Sequence, residues 1–134
     1  MRDFFFEYDA SSKVLAVRVV GAFTDDIFKA CYGEATRHVA GQEILGALMD
    51  LSKVERFEIS AEAVRQVSVL PPAINDPVPR YVVASQAHIF GMARMFQIIS
   101  PKGRDALRIV RTLKDAYDGL GVTTPQFERL PDLP

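Results

Sequence analysis

Ile44-Leu45-Gly46-Ala47-Leu48-Met49 is a near-continuous apolar run closed by Asp50-Leu51-Ser52. A strand with no polar alternation has no wet face, so it belongs in the middle of a sheet covered on both sides. Tyr81-Val82-Val83-Ala84, ending at Ser85, has the same character, and residues 107–110 read as one more strand. Helical patterns separate these runs. Upstream, Thr24 is a good N-cap with Asp25 and Asp26 in the first turn, where the helix dipole favours negative charge. Ile27, Phe28, Cys31, Tyr32, Ala35 and Val39 then share one face, with Lys29, Thr36 and Arg37 opposite and Gly41 as the stop. Ser60 caps a helix over 61–70 with the stripe Ala63, Val64, Val67 and Leu70, ended by Pro71-Pro72.

Further out, residues 71–79 hold four prolines and form a stiff loop. A helix over 87–99 stops before Pro101. Thr112 caps the last helix, which ends at Gly119 and Gly121. At the N-terminus, aromatic residues 4–8, a polar turn over 9–13 and the valine-rich 14–20 make a hairpin. The order is β-β-α-β-α-β-α-β-α. It predicts an α/β domain with a mainly parallel, five-stranded mixed sheet and four helices, whose first strand pairs antiparallel. Residues 1–121 make this one domain, and 122–134, with three prolines, an extended tail.

The size supports that reading. A chain of 134 residues buries roughly two-thirds of its unfolded surface and needs no disulfide or metal staple. An apolar fraction of 49% argues against disorder. Sixteen basic and seventeen acidic residues leave a net charge of -1, which excludes a strongly basic nucleic-acid binder. One cysteine excludes an internal disulfide framework, and two histidines leave little for a metal centre, so neither metal nor cofactor is expected. The N-terminus lacks the basic start and long apolar run of a signal peptide, and no stretch is long enough to span a bilayer. A soluble, cytoplasmic protein is the expectation.

In open parallel sheets, ligands sit beyond the carboxyl ends of the strands. The polar side chains expected there are Asp50, Ser52, Ser60 and Ser85, on loops that lead into helix N-termini. Capping is the simpler role for Ser60 and Thr24. No phosphate-binding glycine loop, nucleophile elbow or His-x-x-x-His occurs. Cys31 lies on the core face of its helix, two turns from His38, too far for a nucleophile–base pair. An enzyme is not expected.

Three stretches carry a family resemblance. They are Val17-Arg18-Val19-Val20-Gly21 leading to Thr24; Leu48-Met49-Asp50-Leu51-Ser52-Lys53-Val54 with Phe57 and Ser60; and Val82-Val83-Ala84 with 90–96, 108–111 and Ala116. Together they resemble the STAS-like (SpoIIAA-like) domains, relatives of anti-anti-sigma factors, over roughly residues 14–121. The resemblance implies a non-enzymatic regulatory or protein-interaction module. In the anti-anti-sigma members a serine before the second helix is phosphorylated. Here Ile59 stands at that place, with Ser60 beside it as the remaining candidate. The fold is shared in outline with lipid-carrying domains, which implies the alternative of a small apolar-ligand or lipid-binding module with membrane-surface association.

The helix over 87–99 bears on that choice. Ile89, Met92, Ala93, Phe96 and Ile99 fill one arc, which suffices for packing on a sheet. Phe90, Met95 and Ile98 fall outside it, Phe90 on the side of Arg94 and Gln97. Phe90, Arg94, Met95 and Ile98 are therefore the expected interaction surface, for an unidentified protein partner, a second copy in a homodimer, or an apolar molecule. On this reading Phe90→Asp disturbs assembly more than folding. Arg94, Lys102, Arg104, Arg108, Arg111 and Lys114 could form a basic patch toward anionic lipid, diluted by Asp105, Asp115 and Asp118.

Overall fold

The structure, a computed structural model, describes residues 2–100 and 104–133. Pro101 and Lys102 lie outside the described residues. Strands β1 (Phe4–Asp9) and β2 (Val14–Val19) form the antiparallel hairpin. Then follow β3 (Ala22–Thr24), α1 (Asp25–Gly41), β4 (Gly46–Asp50), β5 (Arg56–Glu58) and α2 (Ala61–Ser68). The chain continues through β6 (Arg80–Val83), α3 (Ala87–Ile99), β7 (Leu107–Val110), α4 (Leu113–Leu120) and β8 (Glu128–Arg129).

The helices begin where their caps predict. Thr24 Oγ1 accepts from Ile27 N–H at 3.3 Å, Ser60 Oγ from Ala63 N–H at 3.0 Å, and Thr112 Oγ1 from Asp115 N–H at 3.1 Å. Gly121 ends α4 in the left-handed region, at φ 71°, where a side chain would be strained. α2 is shorter than its apolar stripe implies. It stops at Ser68, leaving Val69 68% and Leu70 40% exposed, so Leu70 is not core.

The main sheet runs β7-β6-β4-β2-β1-β8. β2, β4, β6 and β7 are mutually parallel, and β1 is antiparallel to both its neighbours. The sheet thus has six strands rather than five. The sixth comes from residues 122–134: β8 pairs with β1, and Leu130 N–H donates to Phe6 O at 2.9 Å. It satisfies an edge that β1 would otherwise present to solvent. Asp9 Oδ1 accepts from Gln126 N–H at 3.2 Å, and Val122 is buried. A second, two-stranded parallel sheet joins β3 to β5, where loops were expected. Two- and three-residue strands are too short to show a period of two.

From β2 to β4, β6 and β7 the sheet grows in one direction. Right-handed crossovers then place all three connecting helices on one face. That face carries Leu15, Val17, Ala47, Met49 and Val82, packed with residues of α1 and α3 in the larger core. α4 follows the last strand and covers the opposite face, against Val14, Ala16, Leu48 and Tyr81. No helix among the described residues is long and apolar enough to cross a membrane.

Candidate functional site

The face under α1, α2 and α3 is not filled. Ala47 on β4, Ala35 on α1 and Ala93 on α3 put three small side chains in the lining of one space. The result is a cavity of about 210 Å³. Met49 and Val82 lie on the two central strands, yet stay partly accessible beneath the helices because they line it. Phe28, Val64, Met92 and Phe96 close the helical side. Close-packed interiors rarely hold voids larger than a water molecule. A dry apolar cavity of about 150 Å³ already admits benzene.

The polar wall residues sit mainly at one end, near the start of β6. There Arg80 and Arg104 are 8% and 7% exposed. Arg80 Nε donates to Val78 O at 3.1 Å and an NH1 hydrogen to Ile74 O at 2.5 Å, while NH2 pairs with Asp76. Arg104 donates to Ser68 O at 2.9 Å and Leu70 O at 3.2 Å. Its guanidinium lies 4.7 Å from the centroid of the Phe96 ring. Burial, and then the nearby charge of Arg80, lowers the pKa of Arg104; burial likewise lowers that of Arg80, against the pull of Asp76. Asp76 also accepts the N–H groups of Asp105 and Ala106, each at 2.9 Å.

Cys31 faces the same cavity from α1. Burial pushes its thiol far up, with Glu34 adding to the effect, so it is no nucleophile. Glu34 and His38, on that helix, are buried and unforeseen. Glu34 receives Arg2 at 2.5 Å and faces His38 Nε2 at 3.3 Å, an arrangement that ties the N-terminus to α1.

The carboxyl-end residues are differently used. Asp50 is buried and accepts from Ser52 N–H at 2.9 Å, Ser52 Oγ at 2.6 Å and Arg18 at 3.2 Å. Arg18 in turn reaches Glu7 at 2.9 Å and the Tyr117 hydroxyl at 3.4 Å. These groups satisfy one another across β1, β2 and β4. Ser60 donates its hydroxyl to Asp25 at 2.7 Å while capping α2. Ser85 is exposed. Among the described residues no hydrogen bond joins Ser60 or Ser85 to Asp50, so the four side chains do not form one cluster.

On α3 the outward side is only partly as expected. Ile98 is 71% exposed, and Arg94 is exposed with NH1 3.3 Å from Gln97 Oε1. Met95 is half-buried. Phe90 is not on the wet side: it is half-buried, packs against the larger core, and carries the Arg111 guanidinium 4.3 Å from its ring centroid. Ile99, expected in the core arc, is 39% exposed. The basic side chains disperse rather than gather. Arg104 is buried, Arg111 covers Phe90, Arg108 donates to Asp105 O at 2.7 Å, and Lys114 pairs with Asp118 at 2.7 Å.

The cavity and its two guanidiniums had no local signature. The only hints were alanines within otherwise bulky apolar stretches and a charge, Arg80, at the start of a buried strand. A scan of protein-family models finds no match to this chain, and a search of curated proteins finds none.

Proposed function

We propose that this chain is a non-enzymatic binding module whose ligand is a small apolar molecule held between the sheet and α1–α3. The observation that carries this reading is the cavity of about 210 Å³, walled by the helices and by central-strand residues that packing would otherwise cover. The resemblance to STAS-like domains supports the same class of activity, since those domains act by binding.

Native mass spectrometry of gently purified protein, combined with calorimetric titration of 1-decanol, tests it. A copurifying adduct of a few hundred daltons, or saturable one-to-one binding of decanol, is the expected result. A bare mass together with no decanol binding overturns it.

A second reading has its own observation. Val69 and Leu70 after α2, and Ile98 and Ile99 at the end of α3, are exposed apolar side chains. Arg104 bonds Leu70 O and stacks on Phe96, so these two chain ends are neighbours. Such a patch suits self-association or contact with a membrane surface. The same native spectra read it: a dimer that Ile98→Asp dissolves supports self-association, and a monomer argues against it.

A further inference from the structure

We propose that the ligand of the cavity carries a carboxylate head, held by Arg104, on an alkyl or aromatic body lodged among the apolar walls. This rests on the reading of the cavity as a ligand site and names the class of ligand.

The argument is one of charge. Among the described residues that line the cavity, Arg80 and Arg104 are the charged ones, and Asp76 beside them pairs with Arg80. Asp76 is committed: beyond Arg80, its oxygens take the N–H groups of Asp105 and Ala106. The hydrogen bonds described for Arg104 go only to the neutral carbonyls of Ser68 and Leu70, and among the described residues no carboxylate pairs with it. A guanidinium keeps its proton in any protein setting, so it cannot escape burial by turning neutral. A buried charge without a counter-ion in contact is costly even when hydrogen-bonded, and a bound anion would offset that cost.

The geometry also says which anion. The single positive charge of Arg104 matches a singly charged head. The carbonyl oxygens of Ser68 and Leu70 already occupy part of the guanidinium rim and would repel the extra oxygens of a phosphate dianion. A planar carboxylate fits the remaining donors of a planar fork. Apart from Tyr32 and Tyr81, the rest of the wall is built from hydrocarbon side chains, methionine and the Cys31 thiol, so the body of the ligand is apolar.

Calorimetric titration of the full chain at neutral pH with decanoate, 1-decanol and decyl phosphate tests this. The expected result is that decanoate binds at least about tenfold tighter than decanol. Arg104→Gln should abolish the preference for decanoate over decanol, read as the ratio of the two affinities in the same variant, while Arg104→Lys should keep part of it. Equal binding of decanoate and decanol by the wild-type chain overturns the carboxylate assignment and leaves the cavity reading standing. Tighter binding of decyl phosphate than of decanoate overturns it too. No binding of any of the three overturns both readings. If neither Arg104 variant folds, the wild-type ratio of decanoate to decanol decides.

Discussion

The guanidinium of Arg104 rests 4.7 Å from the centroid of the Phe96 ring, and both residues belong to the wall of one cavity. The charge is therefore supported by the same helix that carries the apolar side of the site. Arg104 also ties the end of α2, through Ser68 O and Leu70 O, to the last turns of α3. Cavity, charge and helix ends form one mechanical unit.

Phe96→Ala is expected to loosen that unit. Phe96 is half-buried and meets Phe28 edge-on at 5.9 Å. A fully buried Phe→Ala change costs about 3–5 kcal/mol, and half burial brings this to about 2 kcal/mol. Urea denaturation measures it. A loss below about 0.5 kcal/mol, the usual range of a surface change, would remove the ring from the wall.

Ala93→Leu should fill part of the cavity from α3. Cavity filling commonly stabilises by about 0.5–2 kcal/mol. The same change should weaken decanol binding at least tenfold, because ligand and side chain compete for one volume. A more stable variant that still binds decanol as the wild type does would place the ligand elsewhere.

Phe90→Asp and Ile98→Asp separate the two sides of α3. Phe90 packs on the core under Arg111, so an aspartate there should cost about 2–3 kcal/mol through lost apolar burial and an ill-solvated charge. Ile98 is 71% exposed, and its aspartate should stay within about 0.5 kcal/mol of wild type. Thermal melts of both variants check this. Equal melting temperatures would return Phe90 to the solvent side.

Asp76 should make the domain acid-sensitive. The N–H of Ala106 holds its carboxyl below the usual range against partial burial, with the N–H of Asp105, Arg80 and Arg104 adding to the effect. A carboxylate lowered in the native state binds fewer protons there than in the unfolded chain. Its contribution is present above the unfolded value near about pH 4 and is lost as pH falls through the lower native value. Asp76→Asn should therefore be less stable than wild type at neutral pH, and the gap should narrow below about pH 4. Urea midpoints at the two pH values measure the gap. A gap that stays constant with pH would show that the Asp76 charge has no role.

Much of the fold is legible along the chain. Residues 87–99 and 107–110 form α3 and β7 as their patterns predict, and Thr24, Ser60 and Thr112 start their helices. These are local effects: a cap bonds a backbone N–H within three residues, and an apolar period repeats within one turn or two. The failures have a common cause. β3, β5 and β8 are held by partners 34 to 122 residues away, as Phe23 is by Phe57 and Glu7 by Arg129, and nothing in three residues announces such a partner. Phe90 falls outward on a wheel drawn for α3 alone; the larger core and the Arg111 side chain, brought in by the end of β7, cover it.

The sequence by itself determined the α/β class of the fold and the order of its four helices and longer strands. Each follows from composition or from spacing between near neighbours. Only the tertiary structure decided where the space and the charge lie. A cavity exists because Ala35, Ala47 and Ala93, harmless singly, converge from a strand and two helices. Two guanidiniums lie at one end of it because Arg80 and Arg104, 24 positions apart in the chain, both reach the wall. Volume and electrostatic potential are sums over everything nearby in space, and the chain order does not carry that sum.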